Sequence, residues 1–371
     1  MADWLGTWKH RIPIIVDADK FDNHATEFVN YSFPYNIAIG SSVGQSNQDL
    51  TAIFDEIGSN SLKIAITEDD GVTECYYEIE RWDSSNKKGL IWYTHNDANF
   101  SGGDYTAYIY FDNNKADNTT YGGTLGNRGE VWGARYKAVY HMADASGAIT
   151  DSSGNGYDTG TKVGSGAVTY RQPDATGCGY SMEWGTGVAY YARSSVGINF
   201  GGSGPVDWCV MTHINPDDIN ADQYYMLGDP HYGFYMRVDD SSGGKVLYKI
   251  DDGIDDSYGY STTGVYGAWH TTSMTLDYSV AYFEGFIDGV EEWQGNVSEV
   301  NAVGDLHDTI EIGCYNGGSS AFDGHIAEVR ISAYEWNDRW QVAEHESLMD
   351  NINTYGTQET LVTFIPKIII I

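Results

Sequence analysis

Paired carboxylates are the tools of glycoside hydrolysis, which needs two of them facing each other across a cleft at roughly 5 to 9.5 Å. The nearest echo of such a pair is Glu78-Ile79-Glu80. A serine–histidine–aspartate arrangement is not signalled: His141, His213 and His270 lie inside strand-like segments, where a histidine more often makes a packing hydrogen bond than acts as a base. Gly201-Gly202-Ser203-Gly204 lacks the lysine and helix of a phosphate loop and reads as a turn. Asp251-Asp252-Gly253-Ile254-Asp255-Asp256 is dense in carboxylates but lacks the spacing of an EF-hand, so a solvated turn is expected there. Sugar binding asks for aromatic faces against the apolar side of a pyranose ring, with a few placed polar groups for its hydroxyls. Tyr232, Phe234, Tyr235, Tyr258, Tyr260 and Tyr266 lie in loop-rich surroundings among Asp and Asn residues. The five tyrosines are the candidate glycan-binding residues, although large aromatics also fill the core of any sandwich.

The elements that must position these groups are strands. Forty-four glycines, 29 tyrosines and many Asp, Asn, Ser and Thr residues fit short strands joined by tight turns. Strand-like segments fall at 11–16, 35–39, 61–67, 74–82, 89–94 and 105–111. In the last of these, Tyr105, Ala107, Ile109 and Phe111 share one face and Thr106, Tyr108 and Tyr110 the other. A short helix is expected within Gln48 to Ile57, and the Asn- and Gly-rich stretch 113–130 reads as a loop and linker. Turn clusters at 151–156, 201–205, 239–244 and 316–320 divide the second part, as in a sandwich of many short strands. Ser332 to Met349 leaves a strand and becomes helix-like, with Trp336, Trp340 and Val342 placed to cap that sandwich.

A formal charge of −33, from 53 acidic and 20 basic residues, excludes nucleic acid and an anionic membrane surface as partners, because both are bound through excess lysine and arginine. The acids are spread along the chain, which fits a solvated surface. Met1-Ala2-Asp3-Trp4 opens without a basic and apolar leader, and no run of 18 apolar residues occurs. The expectation is folding in the cytoplasm with release by another route, or a signal already removed. Cys75, Cys178, Cys209 and Cys314 are far apart without CxxC spacing, and free, mostly buried thiols are expected.

Several segments together resemble a laminin-G-like module, a concanavalin A-like jelly roll. In order they are Ala138-Val139-Tyr140-His141-Met142, Asp151-Ser152-Ser153-Gly154-Asn155-Gly156, Gly179 to Trp184, Asp207 to Thr212, Trp269-His270, Phe286-Ile287-Asp288-Gly289, Ile310 to Gly313 and Ala321 to Ile331. Trp8 to Ile14, Phe33-Pro34, Ser61 to Ile64, Tyr77 to Asp83, Ile91-Trp92 and Tyr108 to Asn113 resemble an uncharacterised β domain that often precedes such modules in secreted and phage-encoded proteins. Related bacterial glucanases carry Glu-x-Asp-x-x-Glu on one strand; Glu78-Ile79-Glu80 lacks the third acid and falls in the other domain, so no catalytic residue is assigned and no enzyme is expected. The resemblance implies at most one weak calcium ion, held by Asp151, Asn155 and Glu328, with Ala327 standing where the family commonly has an acid. No other cofactor is implied.

These readings give an all-β chain of two β-sandwich (jelly-roll) domains in tandem, with a short C-terminal helix and an apolar terminal strand. The expected boundaries are 1–133 for the first domain, 134–349 for the laminin-G-like domain and 350–371 for a C-terminal assembly segment. In the last segment Phe364, Ile365 and Ile368 to Ile371 (Ile368, Ile369, Ile370, Ile371) form a β-prone apolar end. It either returns to its own sheet or docks on another subunit, since an exposed edge of this kind aggregates. The expected function is non-enzymatic: a virion-surface decoration or fibre protein with a glycan-binding or adhesion role, partnered by other virion proteins or by copies of itself and by cell-surface glycans. The alternative is a secreted carbohydrate-binding or carbohydrate-active protein.

Overall fold

In the computed structural model of the chain, Tyr105–Phe111 is a central strand, paired antiparallel on one side with His10–Val16 and on the other with Ile64–Thr67. The structure describes the chain except residues 1–2, 22–32, 95–103, 124, 186, 188, 193–197, 200–206, 218–220, 229–232, 252–254, 278, 298–304, 307–309, 316–319 and 362–371. Period-two alternation turns Ile12, Ile14, Val16, Ala107, Ile109 and Phe111 inward. They meet Tyr35, Ile37, Ile39, Ile91 and Tyr93 from a second, three-stranded sheet ordered Pro34–Ile39, Lys88–Thr94, Tyr77–Asp83. The opposite face of the first sheet is covered too, because Trp8 and Tyr110 are buried together against Ala65.

The second sandwich is larger. An eight-stranded sheet runs Val290–Asn296, Tyr282–Ile287, His270–Asp277, Trp208–Pro216, Gly324–Ser332, Tyr180–Trp184 and Val168–Pro173, with Tyr136–Tyr140 also pairing Gly324–Ser332. It faces a six-stranded sheet ordered Tyr191–Ala192, Ile310–Ile312, Gln223–Gly228, Phe234–Asp239, Lys245–Asp251 and Asp256–Gly264. The all-β class and the two sandwiches expected from the sequence are what the chain forms.

The central strand Trp208–Pro216 is apolar on both faces, and each face has its own core. Trp208, Val210 and Ile214 pack in the second sandwich, while Cys209 and Met211 pack in the first core. In that same core lies the helix Asp338–Leu348, whose Asn337 side chain caps the Trp340 amide at 3.0 Å. Its Trp340, Ala343 and Leu348, with Trp336 just ahead, belong to the first core, so the aromatic cap expected for the second sandwich instead joins the two. The turn Asp288-Gly289 braces this helix: both residues have positive φ, at 53° and 78°, as a two-residue hairpin turn requires. A Cβ on Gly289 would lie 2.5 Å from Val342 Cα. Beyond the helix the chain returns to the first sheet, where Asn353–Tyr355 and Glu359–Thr360 both pair with His10–Val16.

Two local expectations change. The first helix is shorter, Ala52–Ile57, because Gln48 is bridged to Val43 and Asp49 Oδ1 takes the Thr51 amide in a turn. The stretch read as linker contains a helix, Leu125–Trp132. Its two glycines disfavour helix, but burial of Val131 and Trp132 in the first core outweighs that cost.

Candidate functional site

The outward face of the six-stranded sheet collects tyrosines. Phe234, Met236 and Val238 point into the core, which turns Tyr235 and Arg237 outward; Val246, Tyr248 and Ile250 do the same for Lys249. On the edge strand Asp256–Gly264, Gly259 and Ser261 are buried while Tyr258 and Tyr260 are 56% and 38% exposed. Strand register then sets two rows across the face. One is Tyr235, Lys249, Tyr258; the other is Tyr224, Arg237, Leu247, Tyr260. With adjacent strands about 4.8 Å apart, Tyr235 and Tyr258 are spaced by about 10 Å. Tyr224, Tyr235 and Tyr315 form a ring cluster with centroids 4.6 to 6.3 Å apart.

Charge on this face is locally balanced. Arg237 pairs with Asp222 and Asp239 at 2.5 and 2.8 Å and donates to the Tyr224 hydroxyl at 3.1 Å. Lys249 pairs with Asp251 and Asp256 at 3.1 and 2.8 Å and sits 5.9 Å over the Tyr235 ring. Burial pushes the Tyr235 hydroxyl well above its usual range. Because each cation is bracketed by two carboxylates, the face suits a neutral polyol better than an anion. The edge strand is held from behind: the Trp293 indole lies against Gly259, where a Cβ would come within 2.0 Å of it.

A second group lies at the junction of the two cores, and it contains the glutamates that the sequence reading set aside. The third acid that seemed lacking comes from a distant strand. Glu78 is buried and accepts from Trp132 Nε1 and Ser152 Oγ, both at 2.7 Å. The register slips between Ile79 and Arg81, and this bulge carries Glu80, whose carboxylate accepts from Trp92 Nε1 at 2.8 Å and the Tyr180 amide at 2.9 Å. His141 brings its Nδ1 to 2.9 Å from Glu328 and 3.7 Å from Glu80, and its Nε2 to 3.5 Å from Glu78. Arg330, fully buried, binds Glu328 at 2.7 Å and Glu344, with its guanidinium 4.4 and 4.7 Å over Trp92 and Trp132. A partly open cavity of about 220 Å³ reaches from Glu78, Glu80 and His141 to Asp144, Thr150 and Arg171.

Burial pushes the Glu80 carboxyl up to about 8. Burial alone would lower His141, but Glu328 and then Glu78 overcome it and push the imidazole up to about 10. Burial also raises Glu344, against the pull of Arg330. The signal in the sequence was charge inside apolar strands: Glu328 and Arg330 alternate with Val329 and Ile331.

Of the proposed glycan-binding residues, Tyr235, Tyr258 and Tyr260 share the outward face. Tyr266 is exposed but lies in the turn beyond Gly264, at the opposite end of that strand from Tyr258. Tyr232, Phe364, Ile365 and Ile368 to Ile371 lie outside the described residues. Asp151 is buried, and its carboxylate accepts from the Val139, Ser153 and Tyr157 amides and the Ser153 hydroxyl at 2.8 to 3.0 Å. Asn155 donates to the Tyr136 and Lys137 carbonyls. Both residues pin the loop 151–157 to the neighbouring strand. Among the described residues, the metal-ligand groups gathered with Glu328 are Glu80 and His141. Gly40-Ser41-Ser42-Val43-Gly44 spells the G-x-S-x-G pattern of a nucleophile elbow, against the expectation that the chain carries no such elbow. A turn rather than a helix follows it, and Ser42 donates to Asn47 rather than to a histidine. His213 stacks on Trp269 at 4.9 Å and bonds Thr271, as a packing histidine does.

The sequence matches no family model and no curated protein. Solved structures to which the chain is similar include the binding domain of botulinum neurotoxin serotype D, at 14% identity and a TM-score of 0.43, over 57% of this chain and 51% of that one. Another is the botulinum neurotoxin DC binding domain in complex with rat synaptotagmin II, at 12% identity and a TM-score of 0.45, over 58% and 52%. A third is domain 4 of AbnA, a GH43 extracellular arabinanase from Geobacillus stearothermophilus, in complex with arabinotriose, at 18% identity and a TM-score of 0.43, over 57% and 98%. The matched part spans about half the length of the neurotoxin binding domains. Overlaps this loose assign neither ligand nor site.

Proposed function

We propose that the chain is a non-enzymatic carbohydrate-binding protein built on a laminin-G-like sandwich, and that neutral glycans bind across the outward tyrosine face between Tyr235 and Tyr260. One observation carries this reading: Tyr258 and Tyr260 expose their rings side by side on an edge strand whose position is fixed from behind. The Tyr235 ring lies two strands away, with paired ions between to meet hydroxyl groups. Large rigid aromatics cost little side-chain entropy on binding, which is why such faces serve sugar recognition. Display on an extracellular particle, a virion above all, is part of the same proposal. It is supported by the strongly acidic composition and by four cysteines that are all buried and unbridged.

One observation favours a carbohydrate-active reading instead: the acid-lined cavity beside Glu78 and Glu80. Against it, both carboxylates are already engaged by buried donors. A glycan array probed with the full chain and with a Tyr258→Ala/Tyr260→Ala variant tests the first reading. Array signals that vanish in the variant support it, whereas signals that persist move the site elsewhere. Reducing-sugar release from any bound polysaccharide would establish the second.

A further inference from the structure

We propose that Glu80, His141 and Glu328 form a site for one divalent first-row transition-metal ion, of the zinc class, which staples the two sandwiches together. One ligand atom from each residue lies within 4.8 Å of the others. The edges of this triangle that involve His141 Nδ1, at 2.9 and 3.7 Å, are close to the separations of about 3.0 to 3.4 Å expected between donors that each stand about 2.1 Å from one ion. Three protein ligands with one side left to solvent is the pattern of an open zinc site, and here that side is the cavity lined by Glu80 and His141.

The histidine itself supplies an independent reason. His141 is 5% exposed, yet its Nε2 makes no hydrogen bond; Glu78, the nearest carboxylate, stands 3.5 Å away. Coordination through Nδ1 fixes the tautomer with the proton on Nε2 and turns that N–H toward Glu78. Metal-bound histidines are commonly oriented by an outer carboxylate in this way. Around His141 and Arg330 stand four carboxylates, those of Glu78, Glu80, Glu328 and Glu344.

The donor set selects the class of ion. Imidazole with carboxylates suits zinc and its neighbours, whereas calcium asks for six to eight oxygens. The ligands also belong to different layers: Glu80 lies on Tyr77–Asp83 of the first sandwich, while Glu328 lies on Gly324–Ser332 in the eight-stranded sheet of the second and His141 directly follows the strand Tyr136–Tyr140 of that sheet. Binding therefore links the two sandwiches and is expected to raise the melting temperature.

The test uses the full chain, stripped with chelator and then titrated with Zn²⁺, Co²⁺ or Ca²⁺. The expected result is one zinc per chain, a melting temperature that rises with zinc but not calcium, and visible cobalt(II) bands of a nitrogen–oxygen site. Glu80→Gln and His141→Gln should each lose the zinc. His325→Gln, in the separate Glu183–Asp217–His325 group, should keep it. Should the first two variants fail to fold, the cobalt spectrum of the unmodified chain, compared with that of His325→Gln, decides. A chain that takes up no zinc, shows no cobalt bands, binds calcium equally, keeps zinc in Glu80→Gln or loses it in His325→Gln overturns the proposal.

Discussion

Arg330→Met is expected to destabilise the chain by about 3 kcal/mol, at the lower end of the roughly 3 to 5 kcal/mol that removing one partner of a buried ion pair costs. Arg330 is fully buried between Glu328 and Glu344, themselves buried. Methionine keeps an unbranched apolar chain but loses the guanidinium that stands over Trp92 and Trp132, so the loss is mainly electrostatic. Glu328 still meets His141 at 2.9 Å, which limits the damage. Glu344 keeps only neutral donors, the Tyr136 hydroxyl at 2.8 Å and Trp340 Nε1 at 3.2 Å. Adding Glu344→Gln to Arg330→Met removes the stranded charge and should recover at least about 1 kcal/mol. At about 2 to 4 °C per kcal/mol, the single variant should melt about 6 to 12 °C lower. Urea midpoints followed by tryptophan fluorescence, with the slope checked for constancy, give the cycle. A single variant within about 0.5 kcal/mol of the parent, or a double variant less stable than the single, would refute the account of this junction.

Asp350→Asn should stabilise the protein at pH 7. Asp350 accepts the Gly44 amide at 2.7 Å with φ of 54°, a conformation asparagine tolerates, and burial pushes its carboxyl up to about 6. A raised folded-state value means the unfolded chain gives up this proton first, so stability is lost as pH climbs from about 4 to 6, at about 1.4 kcal/mol per unit. The variant's urea midpoint should lack that decline; an unchanged difference from the parent across the window contradicts it. Gly259→Ala should displace the Trp293 indole, cost about 1 to 3 kcal/mol and weaken glycan binding; full binding at parental stability would show that the indole does not set the edge strand. Deleting residues 362–371 should lower self-association or particle attachment in mass photometry while the β-type circular dichroism persists, and an unchanged mass distribution would make that segment passive.

The strands were legible where alternation was clean. Tyr105–Phe111 and its neighbours follow the expected spans within about three residues, and the FIDG turn sits where Gly289 requires it. What could not be read was which surface each amphipathic segment meets. Trp336 and Trp340 look like a cap for the sandwich they follow in sequence, but they pack with Phe33 and Tyr136 of the other core. The junction was hidden for the same reason: Glu80 and Glu328 are far apart in the chain, and only the double-sided burial of the eight-stranded sheet brings them to one histidine. The tyrosine face was legible in part, since Tyr258 and Tyr260 share a strand face by spacing alone. Its rows across to Tyr235 and Tyr224 depend on strand register, which no local pattern gives.

The most direct test of the central claim is calorimetric titration of the tightest-binding array oligosaccharide into the parent chain, Tyr258→Ala, Tyr260→Ala and Tyr282→Ala. Tyr282 is also exposed, at 40%, but belongs to the other sheet of the second sandwich. Loss of one stacked ring, worth about 1.4 kcal/mol, should raise Kd about tenfold for each of the first two variants and leave Tyr282→Ala at the parental value. Parental affinity in Tyr258→Ala and Tyr260→Ala, or a loss confined to Tyr282→Ala, would contradict the assignment of the glycan site.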